Sequence, residues 1–136
     1  MDRLVLDTNC LIQIVSPRSQ YHPLWNSFVR GENILCVSNE IIEEYLEILQ
    51  RFVGYTVSEY IIKTLLNSKF TKVVTPYYNF HLIEADKDDN KFVDCAIAAN
   101  AKCIVTNDHH YDVLKTISFP KVEVVNLQHY FAIAGL

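Results

Sequence analysis

Five short apolar runs punctuate the chain, and longer segments with helical periodicity lie between them. Leu4-Val5-Leu6, Ile34-Leu35-Cys36-Val37, Lys72-Val73-Val74-Thr75, Cys103-Ile104-Val105-Thr106 and Val122-Glu123-Val124-Val125 predict strands. They are mostly apolar without clean alternation, the pattern of a parallel sheet covered on both faces. Helices are predicted over about Tyr21 to Arg30, Asn39 to Phe52, Val57 to Phe70 and Phe92 to Ala101, with a short one near Tyr111 to Thr116. This alternation predicts an α/β fold: a three-layer α/β/α sandwich on a mostly parallel central sheet of four to five strands. No linker or internal repeat interrupts it, so residues 1–136 read as one domain.

Two of the helices carry more detail. From Asn39, Ile41, Ile42, Tyr45, Leu46, Ile48, Leu49, Phe52 and Val53 share one broad face, while Glu40, Glu43, Glu47, Gln50 and Arg51 face the other way. Glu44 lies on the border, and Ser38 or Asn39 can cap the helix. The helix from Phe92 is apolar nearly all round apart from Asp94 and Asn100, which predicts burial. Asp89 or Asn90 is its expected N-cap.

Composition narrows the class. Half of the 136 residues are hydrophobic, enough for a core without staples. A formal charge of −4 excludes a basic coat over the whole surface, though not a local basic rim. Cys10, Cys36, Cys95 and Cys103 form no CxxC pair and sit in apolar segments, so they read as buried, reduced thiols of a cytoplasmic protein. The chain shows no signal peptide and no apolar run of ~18 residues, so no membrane span is expected.

The candidate chemistry lies in acids placed where core is expected. Asp7 ends the first strand, Asp108 follows the fourth, Asp94 interrupts the buried helix and Glu44 lies in the helix after strand 2. Ligands bind open parallel sheets outside the carboxyl ends of the strands. The four acids can converge there if strands 1 and 4 are neighbours. Converged carboxylates repel by about 4 kcal/mol per pair at ~4 Å and an effective dielectric near 20, and a divalent cation reverses that sign. Oxygen-only donors favour Mg²⁺ or Mn²⁺, and no His/Cys cluster has zinc spacing. One of His109 and His110 reads as a surface or rim residue. Thr8, Asn9, Thr106, Asn107 and Ser38 are either turn-formers or groups that orient the acids.

Four segments together resemble the PIN domain, the fold of VapC-like toxin ribonucleases: Leu4-Val5-Leu6-Asp7-Thr8-Asn9, Ser38 to Leu49, Asp89 to Ala101, and Ile104-Val105-Thr106-Asn107-Asp108. The resemblance implies an acidic quartet of Asp7, Glu44, Asp94 and Asp108, with Asp89 as either a fifth ligand or a helix cap. Asn9 and Thr106 are the expected supporting residues. It further implies Mg²⁺ or Mn²⁺, hydrolysis of RNA to 5′-phosphate and 3′-hydroxyl ends, a homodimer, and an antitoxin whose basic side chain enters the acidic pocket. Asn107 stands where relatives often carry Gly, which bears on the placement of Asp108. Rim residues Arg18, Lys87, Lys91 and Arg51 are candidate phosphate contacts, and Tyr77 or Tyr78 candidate stacking groups.

Other readings fit less well. A haloacid-dehalogenase-like phosphatase wants a second Asp two residues after Asp7, where this chain has Asn9. A receiver domain wants an Asp at the end of strand 3, where Thr75-Pro76 stands. The remaining alternative is a PIN-like domain that binds RNA or a partner without cutting it.

Overall fold

A computed structural model describes all 136 residues. Five strands form one parallel sheet: β1 (Asp2–Leu6), β2 (Asn33–Val37), β3 (Lys72–Val73), β4 (Cys103–Val105) and β5 (Val124–Val125). Their spatial order is β3-β2-β1-β4-β5. The register pairs Leu4 with Leu35 on one side and with Cys103 on the other. Strands 1 and 4 are neighbours, as the convergence of the acids requires. The chain runs outward from β1 in one direction and then in the other, so the switch point lies between β1 and β4.

Successive strand residues point to opposite faces. Leu4, Val5 and Leu6 are all fully buried, so helices cover both sides of the central strand. The helices are α1 (Thr8–Val15), α2 (His22–Val29), α3 (Asn39–Asn67), α4 (Asn90–Ala99) and α5 (Leu127–Ile133). Helix α4 packs across β1, β2 and β4. The four cysteines are buried and free. No helix is long and apolar enough to cross a membrane.

Several elements depart from the sequence expectation. α1 and α5 were not expected. β3 and β5 are only two residues long, shorter than predicted. The segment near Tyr111 is a 3₁₀ helix, His109–Thr116. The two expected helices between β2 and β3 are both present as the two arms of α3, which meet in a kink at Gly54, whose φ of +82° favours glycine. The bend carries the end of the first arm away from the core. Ile41, Tyr45 and Leu49 are buried, but Phe52 and Val53 of the same apolar face are exposed.

A candidate acidic metal centre

The switch point fixes Asp7. β1 ends at Leu6, and Asp7 occupies the N-cap position of α1. Its amide donates to the Val105 carbonyl (3.1 Å), and its carbonyl accepts from the amides of Cys10 and Leu11. The backbone therefore has little freedom. The carboxylate is buried, and its Oδ2 accepts from Thr106 Oγ1 at 2.8 Å. The same hydroxyl oxygen accepts from the Asp108 amide at 3.1 Å. One Thr side chain thus ties the ends of β1 and β4 together. Burial raises the Asp7 carboxyl above its ordinary range, and the charges of Asp108 and Glu44 add to this against the Thr106 hydrogen bond.

Asp89 joins this pair from the 3₁₀ turn Lys87–Asp89 that leads into α4. It holds the N-cap position of α4 without making a side-chain capping bond. Burial, followed by the charges of Asp86, Asp108 and Asp7, pushes its carboxyl up to about 7. Asp89 Oδ2 and Tyr111 Oη are both buried and face each other, with no other hydrogen-bond partner for either. A buried carboxylate beside only a neutral hydroxyl lacks a counter-charge. His110 stands at the mouth, with Nδ1 3.4 Å from Asp108 Oδ1 and 3.8 Å from Asp89 Oδ2. Ligand atoms of Asp86, Asp89 and His110 all lie within 4.8 Å of one another. Mutually repelling hard oxygens around a buried carboxylate fit an oxygen-loving divalent cation.

Glu44 reaches the site's edge from α3. Its Oε2 accepts from the Thr8 hydroxyl, and its Oε1 pairs with Lys91 Nζ at 2.7 Å. Lys91 also donates to the Asp88 carbonyl at 3.0 Å, and its side chain is only 13% exposed. It is thus a mostly buried counterion of Glu44 rather than the open phosphate contact expected from sequence. Arg18 and Lys87 are exposed, as that role requires.

Asp94 departs from the expected quartet. It is buried, but Oδ1 accepts from the Phe80 amide at 3.1 Å, and the charges it feels are His81 and Glu40. Asp89 and Asp94 are five residues apart at ~100° per helical residue, roughly 140° around the axis, so they face different places. Asp89 feels the charges of Asp86, Asp108 and Asp7, whereas Asp94 lines a neighbouring cavity. Asn9 is exposed, and Thr8 makes the contact with an acid instead. Asn107 Oδ1 accepts from the Leu127 amide at 3.1 Å, fastening the loop before Asp108 to α5. Asp86, His110 and Tyr111 complete the surroundings. Their signals in the sequence were the acidic turn and the residues that follow Asp108.

A family-level sequence comparison matches residues 3–110 to the PIN domain. No curated protein matches the chain. Among solved structures, the chain resembles VapBC2 from Rickettsia felis bound to a DNA fragment from their promoter, with a TM-score of 0.63 and 17% identity over 91% of this chain and 98% of that one. It also resembles the PIN domain endonuclease Utp24, with a TM-score of 0.53 and 15% identity over 91% of this chain and 84% of the other. At these identities the structural likeness speaks for the fold, and the sequence match for the family. Asp7, Glu44, Asp89 and Asp108 all fall within the matched residues, and the chain belongs to the PIN domain family.

Proposed function

We propose that this chain is a divalent-metal-dependent endoribonuclease and the toxin of a toxin–antitoxin pair. The observation that carries the reading is the cluster of Asp86, Asp89 and His110, whose ligand atoms lie within 4.8 Å of one another, with the charges of Asp86, Asp108 and Asp7 acting on the buried Asp89 carboxyl. Asp7, Asp89 and Asp108 would hold Mg²⁺ or Mn²⁺, with Asp86 and His110 at the mouth. When bound, the ion supplies charge neutralisation at the phosphodiester and lowers the pKa of a water molecule.

The chain's own residues supply placement. Thr106 holds the Asp7 carboxylate and the Asp108 amide in one geometry. Thr8 and Lys91 fix Glu44 at the edge of the site, where it can orient the attacking water and accept its proton. Exposed Arg18 and Lys87 are placed to meet phosphates of a single strand. The resemblance to VapBC2 supports an antitoxin partner, and a nuclease relative supports cutting. The pairing of the Lys91 ammonium with Glu44 supports a partner's basic side chain making a similar contact at the edge of the site. Exposed Phe52, Tyr55 and Tyr60 beside the Gly54 bend offer apolar surface for protein contact, including a homodimer.

The test is cleavage of a mixed-sequence RNA by purified protein in Mn²⁺, Mg²⁺ and EDTA, with end-group analysis. Metal-dependent cuts leaving 5′-phosphate and 3′-hydroxyl ends are expected. Undiminished cleavage in EDTA, or 2′,3′-cyclic ends, overturns the reading.

A further inference from the structure

Asp94 is a buried carboxylate that the acidic centre leaves unused. Its Oδ1 is engaged by the Phe80 amide, while Oδ2 carries no hydrogen bond within the protein. The side chain lies on the wall between two unlike cavities. One, of about 300 Å³, is polar and includes Ser38, Asn79, His81 and Lys91. The other, of about 260 Å³, is largely apolar and includes Pro76, Tyr77, Tyr78 and Phe80. Tyr77 and Tyr78 are 91% and 76% exposed, so their ring faces are open.

The polar cavity adjoins the acidic centre through Lys91, whose ammonium contacts Glu44 at 2.7 Å. It is too polar for an aliphatic ligand, and the aromatic wall beside it has no use for a free ion. A flat group with a polar edge matches both. Unstacked RNA bases are held in this way, with their faces against aromatic rings and their Watson–Crick edges on polar groups.

We propose that these paired cavities receive a guanine base next to the scissile phosphate, with Asp94 accepting hydrogen bonds from its Watson–Crick edge. Guanine presents N1–H and the N2 amine side by side, two donors for the two oxygens of one carboxylate. Adenine and cytosine present one donor beside an acceptor, and that acceptor would face a carboxylate oxygen. Uracil places its single N–H between two carbonyls. Ser38 accepts from the Ile41 amide and keeps its own hydroxyl proton free to meet the guanine carbonyl. Lys87 and Lys91 line the same cavity with Glu40 and Asp88, and because Lys91 is paired with Glu44, exposed Lys87 is the cation placed to meet the RNA backbone there. Asp94 is thereby a specificity residue. The inference rests on the reading of the chain as an RNA-cutting enzyme, and names which base that enzyme selects.

Equilibrium binding in EDTA separates the two claims. Short single-stranded RNAs, identical except for one G, A or inosine, are titrated with the intact protein by fluorescence anisotropy. Inosine keeps N1–H and lacks the N2 amine. Tighter binding of G than of inosine or A is expected, by roughly 5- to 150-fold for a bidentate contact. In Asp94→Asn, checked for folding by circular dichroism, that preference should collapse. Equal binding of G and inosine by the wild type overturns the inference, without any variant having to fold. A preference that persists in folded Asp94→Asn also overturns it. Absence of cleavage with the G preference intact would sink the nuclease reading and leave the base pocket standing.

Discussion

The Thr106 hydroxyl donates to Asp7 Oδ2 at 2.8 Å, and its oxygen accepts the Asp108 amide at 3.1 Å. A single side chain at the end of β4 therefore sets the distance between two acids from two strands. Thr106→Val keeps the shape and removes both bonds. Loss of a group that holds a metal ligand in place typically weakens metal affinity by about 10- to 100-fold. Mn²⁺ titration calorimetry should show a loss of that size in Thr106→Val and recovery in Thr106→Ser. Unchanged affinity in the valine variant would mean that the bridge does not position the site.

The acids leave a signature in stability. Burial pushes Asp89 up to about 7, whereas an Asp in an unfolded chain ionises near ~3.9. Between these values the native state holds more protons than the unfolded state. Asp89 therefore lowers stability as pH rises from about 4 to about 7, and the penalty levels off above that. In EDTA, the melting temperature of Asp89→Asn minus that of wild type should grow across this window. In Mn²⁺ the ion's stabilisation of the wild type should also grow, because protons compete for the same oxygens. A flat difference in EDTA would contradict the placement of Asp89 in a buried acidic cluster.

Much of this was legible in the sequence, and the failures have physical causes. Leu4-Val5-Leu6 and Cys103-Ile104-Val105 read as strands because both of their faces are buried. Asp7 and Asp108 are legible as strand-end acids because topology fixes the strand ends at a switch point. Asp94 stands out in the sequence because its neighbours are apolar, and it is buried as that suggests. Yet burial has no direction, and the five-residue step from Asp89 turns Asp94 away from the cluster. α1 is hidden in the sequence because Thr8 and Asn9 read as a turn, although the helix begins immediately after β1 with Asp7 at its N-cap position. Phe52 and Val53 lie on the correct face of the helical wheel, but Gly54 ends the contact of that face with the core.

Tyr45 links α3 to the site. Its ring is fully buried and its hydroxyl donates to the Leu6 carbonyl, one residue before Asp7. Tyr45→Phe removes only that donor and should cost about 1–2 kcal/mol, the usual range for a buried hydrogen bond whose acceptor is left behind. Urea denaturation measures this directly. No loss of stability would show that the bond does not hold the helix to the strand end.

The two basic rim candidates should behave differently from Lys91. Arg18 and Lys87 are exposed, so replacing either with Ala should weaken binding evenly across RNA sequences and reduce the salt slope by about 1. Lys91 already neutralises Glu44, so Lys91→Ala should change that slope less than Lys87→Ala does. The salt dependence of RNA binding in EDTA ranks them. A larger change for Lys91 would return it to the role of an open phosphate contact.

The central claim is that Asp7, Asp89 and Asp108 form the metal centre and that Asp94 stands outside it. Mn²⁺ binding by titration calorimetry to wild type, Asp89→Asn and Asp94→Asn, each confirmed as folded, tests this most directly. The account predicts at least a tenfold loss of affinity in Asp89→Asn and affinity close to wild type in Asp94→Asn. The reverse pattern, with Mn²⁺ binding lost in Asp94→Asn and kept in Asp89→Asn, would contradict it.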